Sequence, residues 1–207
     1  MALNTSLTTL IHELENRIDL ISPSRREILD TLTNAVRTHL QKHQHAKLIF
    51  VCTHNSRRSQ LGQLWFKVIA AHYGIDHIYT YSGGTESTAF NHRMVHAVKE
   101  AGFDVTIQSE GGNPEYVFKL DATDSGDLLF SKVYHHEYNP QTDFIAVMVC
   151  SEADEGCPFV AGATARISLP YKDPKAFDNT PDEAKAYSDK VLEIGRELIY
   201  TVKQLKS

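Results

Sequence analysis

The sequence predicts an α/β fold with a mostly parallel sheet. Three observations predict it. Short runs rich in branched and aromatic residues alternate with stretches of helical periodicity. Two of these runs, residues 47–52 and 144–150, are apolar almost throughout, as expected of strands buried on both faces. Each of the two also ends in a cysteine, at the strand end where such folds hold ligands.

The elements follow in order. Residues 5–20 space Leu7, Leu10, Ile11, Leu14 and Ile18 at helical intervals, and Ser22-Pro23-Ser24 breaks the pattern. Ser24-Arg25-Arg26-Glu27 reads as a capping box. It opens a second helix with Ile28, Leu29, Leu32, Val36 and Leu40 on one face. Residues 1–45 are therefore expected to form a helical extension, packed as an added hairpin, ahead of a catalytic domain at 46–207.

The strand 47–52 is followed by a polar loop and a helix at about 60–72. A second strand at 77–81 is closed by Ser82-Gly83-Gly84, read as a turn. A helix at 91–101 ends at Gly102, and 103–107 is a weaker strand. An insert at about 111–143 contains a hairpin-like stretch, its arms 116–120 and 128–134 flanking Asp124-Ser125-Gly126. Strands at 144–150 and 165–169 follow. Thr180-Pro181-Asp182-Glu183 reads as a capping box with proline in the first turn. It starts a last helix whose apolar face carries Val191, Leu192, Ile194, Leu198, Ile199, Val202 and Leu205.

Composition removes some classes of function. The 207 residues carry a net charge of −5, from 21 Lys+Arg against 26 Asp+Glu. That balance offers no electrostatic case for nucleic acid or a membrane surface. No apolar stretch reaches spanning length. The first twenty residues, with His12, Glu13, Glu15, Arg17 and Asp19, lack the uninterrupted apolar core of a secretory signal. The expected location is the cytoplasm. Three cysteines, Cys52, Cys150 and Cys157, argue against a structural disulfide framework. Reduced thiols with chemical work are the preferred reading; three small buried hydrophobes are the alternative.

The central motif is Cys52-Thr53-His54-Asn55-Ser56-Arg57-Arg58-Ser59, in a strand–loop–helix setting. Such a loop can turn successive backbone N–H groups inward as an anion nest, and the following helix adds its positive end. Arg58 offers a planar fork of donors to a tetrahedral oxyanion. A cysteine in such a field ionises readily, its pKa falling from ~8.5 to ~3.5–7.5. The thiolate is the nucleophilic form, and Ser59 is placed to donate a hydrogen bond to it. The alternative is a core cysteine followed by a basic surface turn.

A general acid has to come from elsewhere. Tyr171-Lys172-Asp173-Pro174 follows the last strand, which puts Asp173 on a loop at the same sheet end. Pro174 holds Asp173 extended. Alone, Asp-Pro reads as a plain turn; the pairing with the loop raises it.

Cys150 and Cys157 are seven residues apart. On a helix they would share a face ~10 Å apart along the axis, beyond the ~7 Å limit for a disulfide. Bridging them requires the segment to unwind, which Gly156 and Pro158 ease. That pattern suits a disulfide that forms only after a conformational change. The alternative is a strand-end cysteine and an unrelated loop cysteine.

Eleven histidines include close pairs at His43/His45, His92/His96 and His135/His136, but no zinc-site pattern accompanies them. No metal and no cofactor is expected.

From Lys47 to the C-terminus the chain resembles the low-molecular-weight protein tyrosine phosphatase superfamily, through the loop 52–59 and Asp173-Pro174. The Cys150/Cys157 spacing is similar to that of its thioredoxin-coupled arsenate reductase branch. The resemblance implies a three-layer sandwich around a four-stranded parallel sheet. It implies an oxyanion cradle formed by Thr53, His54, Asn55, Ser56, Arg57 and Arg58, with Asn55, Ser59 and Ser82 supporting the loop. Asp173 matches the family's acid. The reductase branch further implies three thiols acting in order: Cys52 on arsenate, Cys150 on Cys52, Cys157 on Cys150, with thioredoxin as reductant.

Three positions and one short segment depart from the family pattern. His54 stands in place of a glycine, and Arg57 where a second cysteine is common; Arg57 either adds charge beside the loop or lies in solvent. Gln63 stands where some reductases carry a glutamate that helps bind potassium. Lys175-Ala176-Phe177 stands where eukaryotic phosphatases place tyrosines after Asp-Pro. Three functions follow as expectations: arsenate reduction first, phosphate-ester hydrolysis through a phosphocysteine at Cys52 second, and a redox or oxyanion sensor third.

Overall fold

The computed structural model describes residues 3–156 and 159–206. In chain order the elements are α1 (Thr5–Glu15), α2 (Pro23–His43), β1 (Ala46–Cys52), α3 (Arg58–His72), β2 (Ile78–Gly84), α4 (His92–Glu100) and β3 (Asp104–Ser109). Then come β4 (Glu115–Lys119), β5 (Asp127–Leu129), β6 (Phe144–Met148), α5 (Ser151–Gly156), β7 (Ala163–Ser168) and α6 (Glu183–Lys203).

The expected α/β architecture is present. Four parallel strands run in the order β2-β1-β6-β7. The central pair is the most apolar: β6 is buried along its whole length, and β1 at every position but Lys47. With side chains buried on both faces, alternation gives way to a continuous hydrophobic run. Helices cover the sheet. Trp65 and Phe66 of α3 and Ile194, Leu198 and Ile199 of α6 join the strand residues in one hydrophobic core.

Several element ends differ from expectation. Ser22, not Ser24, caps α2, its side chain accepting from Arg25 N with Pro23 in the first turn. The box at Thr180–Glu183 does not form. Thr180 donates to the Phe177 carbonyl, and Glu183 accepts instead from Asn179 N and pairs with Arg93. Ser82, Gly83 and Gly84 are not a turn; they extend β2 beside Phe50, Val51 and Cys52. β3 is not part of the parallel sheet. It pairs antiparallel with β4, and β4 with β5, as a separate three-stranded sheet. The second arm of the expected hairpin ends at Leu129. Beyond it the chain turns to meet β2, with Gly84 N donating to Lys132 O and Tyr134 N to Gly84 O.

The two N-terminal helices pack against α6 rather than chiefly on each other, and α2 also meets β1 and β7. Leu7, Ile11, Leu14, Leu29, Leu32 and Val36 belong to the same core as the sheet.

Candidate active site

β1 ends at Cys52, and the chain must then reverse into α3 within five residues. Asn55 makes the reversal possible by adopting φ 47°, the left-handed region that asparagine tolerates better than most residues. The backbone freedom the family draws from glycine at position 54 is thus not required of His54. Asn55 is fully buried, and its side chain fixes the loop from within. Its Nδ2 donates to Ser59 Oγ at 2.9 Å, while its Oδ1 accepts from Lys132 N at 2.9 Å and Gln60 Nε2 at 3.2 Å.

The loop's carbonyls are held from outside. Thr85 N donates to Cys52 O, Glu86 N to Thr53 O, Ser131 Oγ to His54 O and Asn91 N to Ser56 O. Gly84 sits so close that a Cβ there would lie 2.6 Å from Thr53 O and 2.8 Å from Asn55 N.

Within this frame Cys52 Sγ lies 3.0 Å from Ser59 Oγ, and both residues are buried. Because Asn55 donates to the Ser59 oxygen, the serine's own proton is free to point at the sulfur. Ser56, Arg57 and Arg58 are also buried. Arg58 leads α3 and extends to the segment that follows β7. Its Nη1 donates to Tyr171 O at 2.8 Å and its Nη2 to Asp173 Oδ2 at 2.9 Å. Asp173 Oδ1 meanwhile accepts from Lys175 N. Arg57 is not in solvent: its Nε donates to Tyr187 OH at 2.9 Å, and Tyr187 donates on to Asp178. Burial and the bond to Asp178 push the Tyr187 phenol up to about 12.

β6 ends at Met148, two residues before the expected end, and Cys150 lies just beyond it, facing the same loop. Its Sγ is 3.5 Å from Thr53 Oγ1 and accepts from Ala153 N at 3.4 Å. Burial raises its pKa, against opposing contributions from Thr53, Ala153 and Arg58. Cys157 lies outside the described residues. Ser82 is buried on β2, but its hydroxyl has no hydrogen-bond partner among the described residues and does not bond to the loop. Gln63 is likewise buried, with its side-chain oxygen unpartnered among the described residues. Among the described residues, no group of three or more histidine, cysteine or acidic side chains is arranged to hold a metal.

A cavity of about 450 Å³ borders the loop, lined by His54, Ser56, Arg57, Asn91, Tyr116 and Lys175 among others. A larger one, about 890 Å³, lies between α1, α4 and α6; its lining contains none of the residues from Cys52 to Ser59. Sequence reasoning missed Gln60, Ser131, Lys132 and Gly84 as loop supports, and Tyr187 and Asp178 as partners of Arg57. Gly84 carried a signal, as a glycine three residues beyond the site-facing end of an expected strand. The others carried none.

A buried thiol with a hydroxyl donor, a tight loop at a helix start and an arginine paired with a carboxylate can carry out cysteine-nucleophile chemistry on a tetrahedral oxyanion. The comparisons agree. A model of the low molecular weight phosphotyrosine protein phosphatase family matches residues 47–136. An arsenate reductase of Staphylococcus epidermidis is 28% identical over 143 residues, 67% of this chain and 89% of that protein. An arsenate reductase of Bacillus subtilis is 28% identical over 152 residues, covering 73% and 91%. The fold matches a low molecular weight phosphotyrosine phosphatase of Vibrio cholerae (TM-score 0.51, 11% identity, 77% of this chain and 95% of that one). It also matches a mutant of YwlE from Bacillus subtilis (TM-score 0.51, 17% identity, 78% and 99%). Over residues 47–136 the chain is thus similar to the low molecular weight phosphotyrosine protein phosphatase family.

Proposed function

We propose that this enzyme reduces arsenate to arsenite by a thiol relay. The observation that carries the reading is the second thiol. Cys150 Sγ stands 3.5 Å from Thr53 Oγ1, in the loop that begins at Cys52, and ester hydrolysis at Cys52 has no need of it. In the first step the Cys52 thiolate attacks arsenic and hydroxide leaves, protonated by Asp173 as water. The oxyanion is held by Arg58 and by the amides of residues 53–58, a stretch in which the carbonyls of Thr53, His54 and Ser56 are bonded from outside the loop. Cys150, as thiolate, then attacks Cys52 Sγ. The sulfur–arsenic bond breaks with its electron pair going to arsenic, so As(V) leaves as As(III) and a Cys52–Cys150 disulfide remains. Cys157 attacks Cys150, frees Cys52 as thiolate, and passes the disulfide to an external dithiol, which we assign to thioredoxin. No helix among the described residues is long and apolar enough to cross a membrane; we place the reaction in the cytoplasm.

The test is NADPH consumption with arsenate, thioredoxin and thioredoxin reductase, run beside hydrolysis of para-nitrophenyl phosphate. Arsenate-dependent oxidation that Cys150→Ser and Cys157→Ser each stop, with hydrolysis surviving, supports the relay. Hydrolysis alone, indifferent to both substitutions, sinks it.

One observation favours a second reading, phosphate-monoester hydrolysis. The 450 Å³ cavity beside the loop has room for an organic leaving group, which arsenate does not have. Cys52 would then carry a phosphoryl group, and Asp173 would protonate the departing oxygen.

A further inference from the structure

Arg58 and Asp173 are both assigned to oxyanion chemistry, yet in the structure they occupy each other. Arg58 Nη2 donates to Asp173 Oδ2 at 2.9 Å, so the guanidinium edge nearest Asp173 is already filled by a carboxylate. A bound oxyanion, itself doubly charged, competes for the same donors. Asp173 must then give way, and in most surroundings a carboxylate released from its arginine would swing into water. Here a second guanidinium waits beside it. Arg57 Nε is 3.9 Å from Asp173 Oδ1, the carboxylate oxygen that does not face Arg58.

Arg57 is well held for this. It is 9% exposed; its Nε donates to Tyr187 OH, and its Nη2 lies 3.7 Å from Asp178 Oδ2. Tyr187 OH in turn donates to Asp178 Oδ1 at 2.8 Å. Other charges nearby are few: Glu152 Oε2 reaches Arg58 Nη1 at 4.0 Å, and Lys175 contributes its backbone N–H to Asp173. A rigid, buried cation at the far oxygen of the carboxylate is an electrostatic anchor rather than a surface ion pair.

We propose that Arg57 is a positioning residue that keeps Asp173 over the site when an oxyanion displaces it from Arg58. Asp173 thereby shifts between two arginines: paired with Arg58 until an oxyanion takes that arginine, and retained by Arg57 from then on. The inference rests on the reading of Arg58 as the oxyanion ligand and is independent of whether arsenate or a phosphate ester is the substrate.

The experiment is a double-mutant cycle on the affinity of the reduced full-length protein for inorganic phosphate, measured calorimetrically. Arg57→Met should weaken phosphate binding about fivefold, because displaced Asp173 loses its anchor. In an Asp173→Ala background, where no competing carboxylate exists, phosphate should bind more tightly than to wild type and Arg57→Met should have no further effect. Arg57→Lys should recover most of the loss, and Tyr187→Phe, which frees the Arg57 side chain, should show part of it. The latter two variants also carry the test if Arg57→Met does not fold. An equal loss from Arg57→Met in both backgrounds overturns the proposal, since a merely structural role acts whether or not Asp173 is present. Wild type that binds no phosphate at all is a different failure: it removes Arg58 as the oxyanion ligand, and this inference falls with it.

Discussion

Ser59 Oγ lies 3.0 Å from Cys52 Sγ and simultaneously accepts a hydrogen bond from Asn55 Nδ2 at 2.9 Å. The second contact orients the first. With its lone pair engaged by an amide donor, the serine directs its proton to sulfur, where it stabilises the thiolate that attacks and the thiolate that leaves. Ser59→Ala is therefore expected to lower turnover of para-nitrophenyl phosphate by about 100-fold, the scale of losing one aimed donor. Alkylation of Cys52 by iodoacetate at a fixed neutral pH should slow in the same variant. Unchanged alkylation would mean that the serine does not act on the sulfur.

Gly84 tests the tightness of the loop's support. An added Cβ would meet three backbone atoms, Glu86 O at 2.2 Å, Thr53 O at 2.6 Å and Asn55 N at 2.8 Å, none of which can swing aside as a side chain can. Gly84→Ala is expected to cost about 1–3 kcal/mol of stability and to remove phosphate affinity with it. Denaturant unfolding and phosphate titration on the same preparation check both. Retained affinity at wild-type level would show that the loop is not held from this side.

Lys132 lies in the irregular stretch after β5 that braces Asn55, and its side chain is buried, with Nζ 4.7 Å from the Phe130 ring centroid and 3.5 Å from Phe130 O. Burial lowers its pKa to about 8, partly offset by Asp127. At neutral pH the lysine is charged in both the folded and the unfolded chain, so the folded state bears the full cost of the buried charge. Above pH 8 the folded lysine sheds its proton while the unfolded one keeps it until about 10.5, and the cost fades as pH rises. Lys132→Met is expected to stabilise the protein at pH 7 by up to roughly 3 kcal/mol. The gain should shrink progressively between pH 8 and 10. Paired denaturant melts at pH 7 and pH 10 measure it, and a pH-independent difference would contradict the assignment.

The N-terminal helices can be tested for integration into the core. Leu29 and Leu32 are fully buried and share a cluster with Leu48, Trp65 and Leu198. Leu32→Ala should cost about 2–5 kcal/mol, as for any fully enclosed leucine. A chain beginning at residue 46 should aggregate, because α6 would expose the face that α1 and α2 cover. Soluble, active protein from that truncation would show that residues 46–207 fold alone.

Much of the site was legible because its chemistry is local. Cys52, Asn55, Arg58 and Ser59 lie within eight consecutive residues, and one turn places them around one point. Asp173 was legible by topology, since loops after parallel strands gather at one sheet end; the structure bonds it to Arg58 at 2.9 Å. Arg57 was legible as a basic residue but not by position. Its choice between solvent and interior depended on Tyr187, 130 residues away. Ser131 and Lys132 were hidden because they act through one hydroxyl and one backbone amide in an irregular stretch.

By itself the sequence determined the α/β class and the strand–loop–helix turn that begins at Cys52, because buried strands and loop–helix junctions are written in contiguous residues. Only the tertiary structure decided that residues 104–129 form a separate antiparallel sheet, that the helical extension belongs to the common core, and that Asp173 stands between two arginines. Those outcomes depend on which distant surfaces meet, and a single residue's type does not encode its partner.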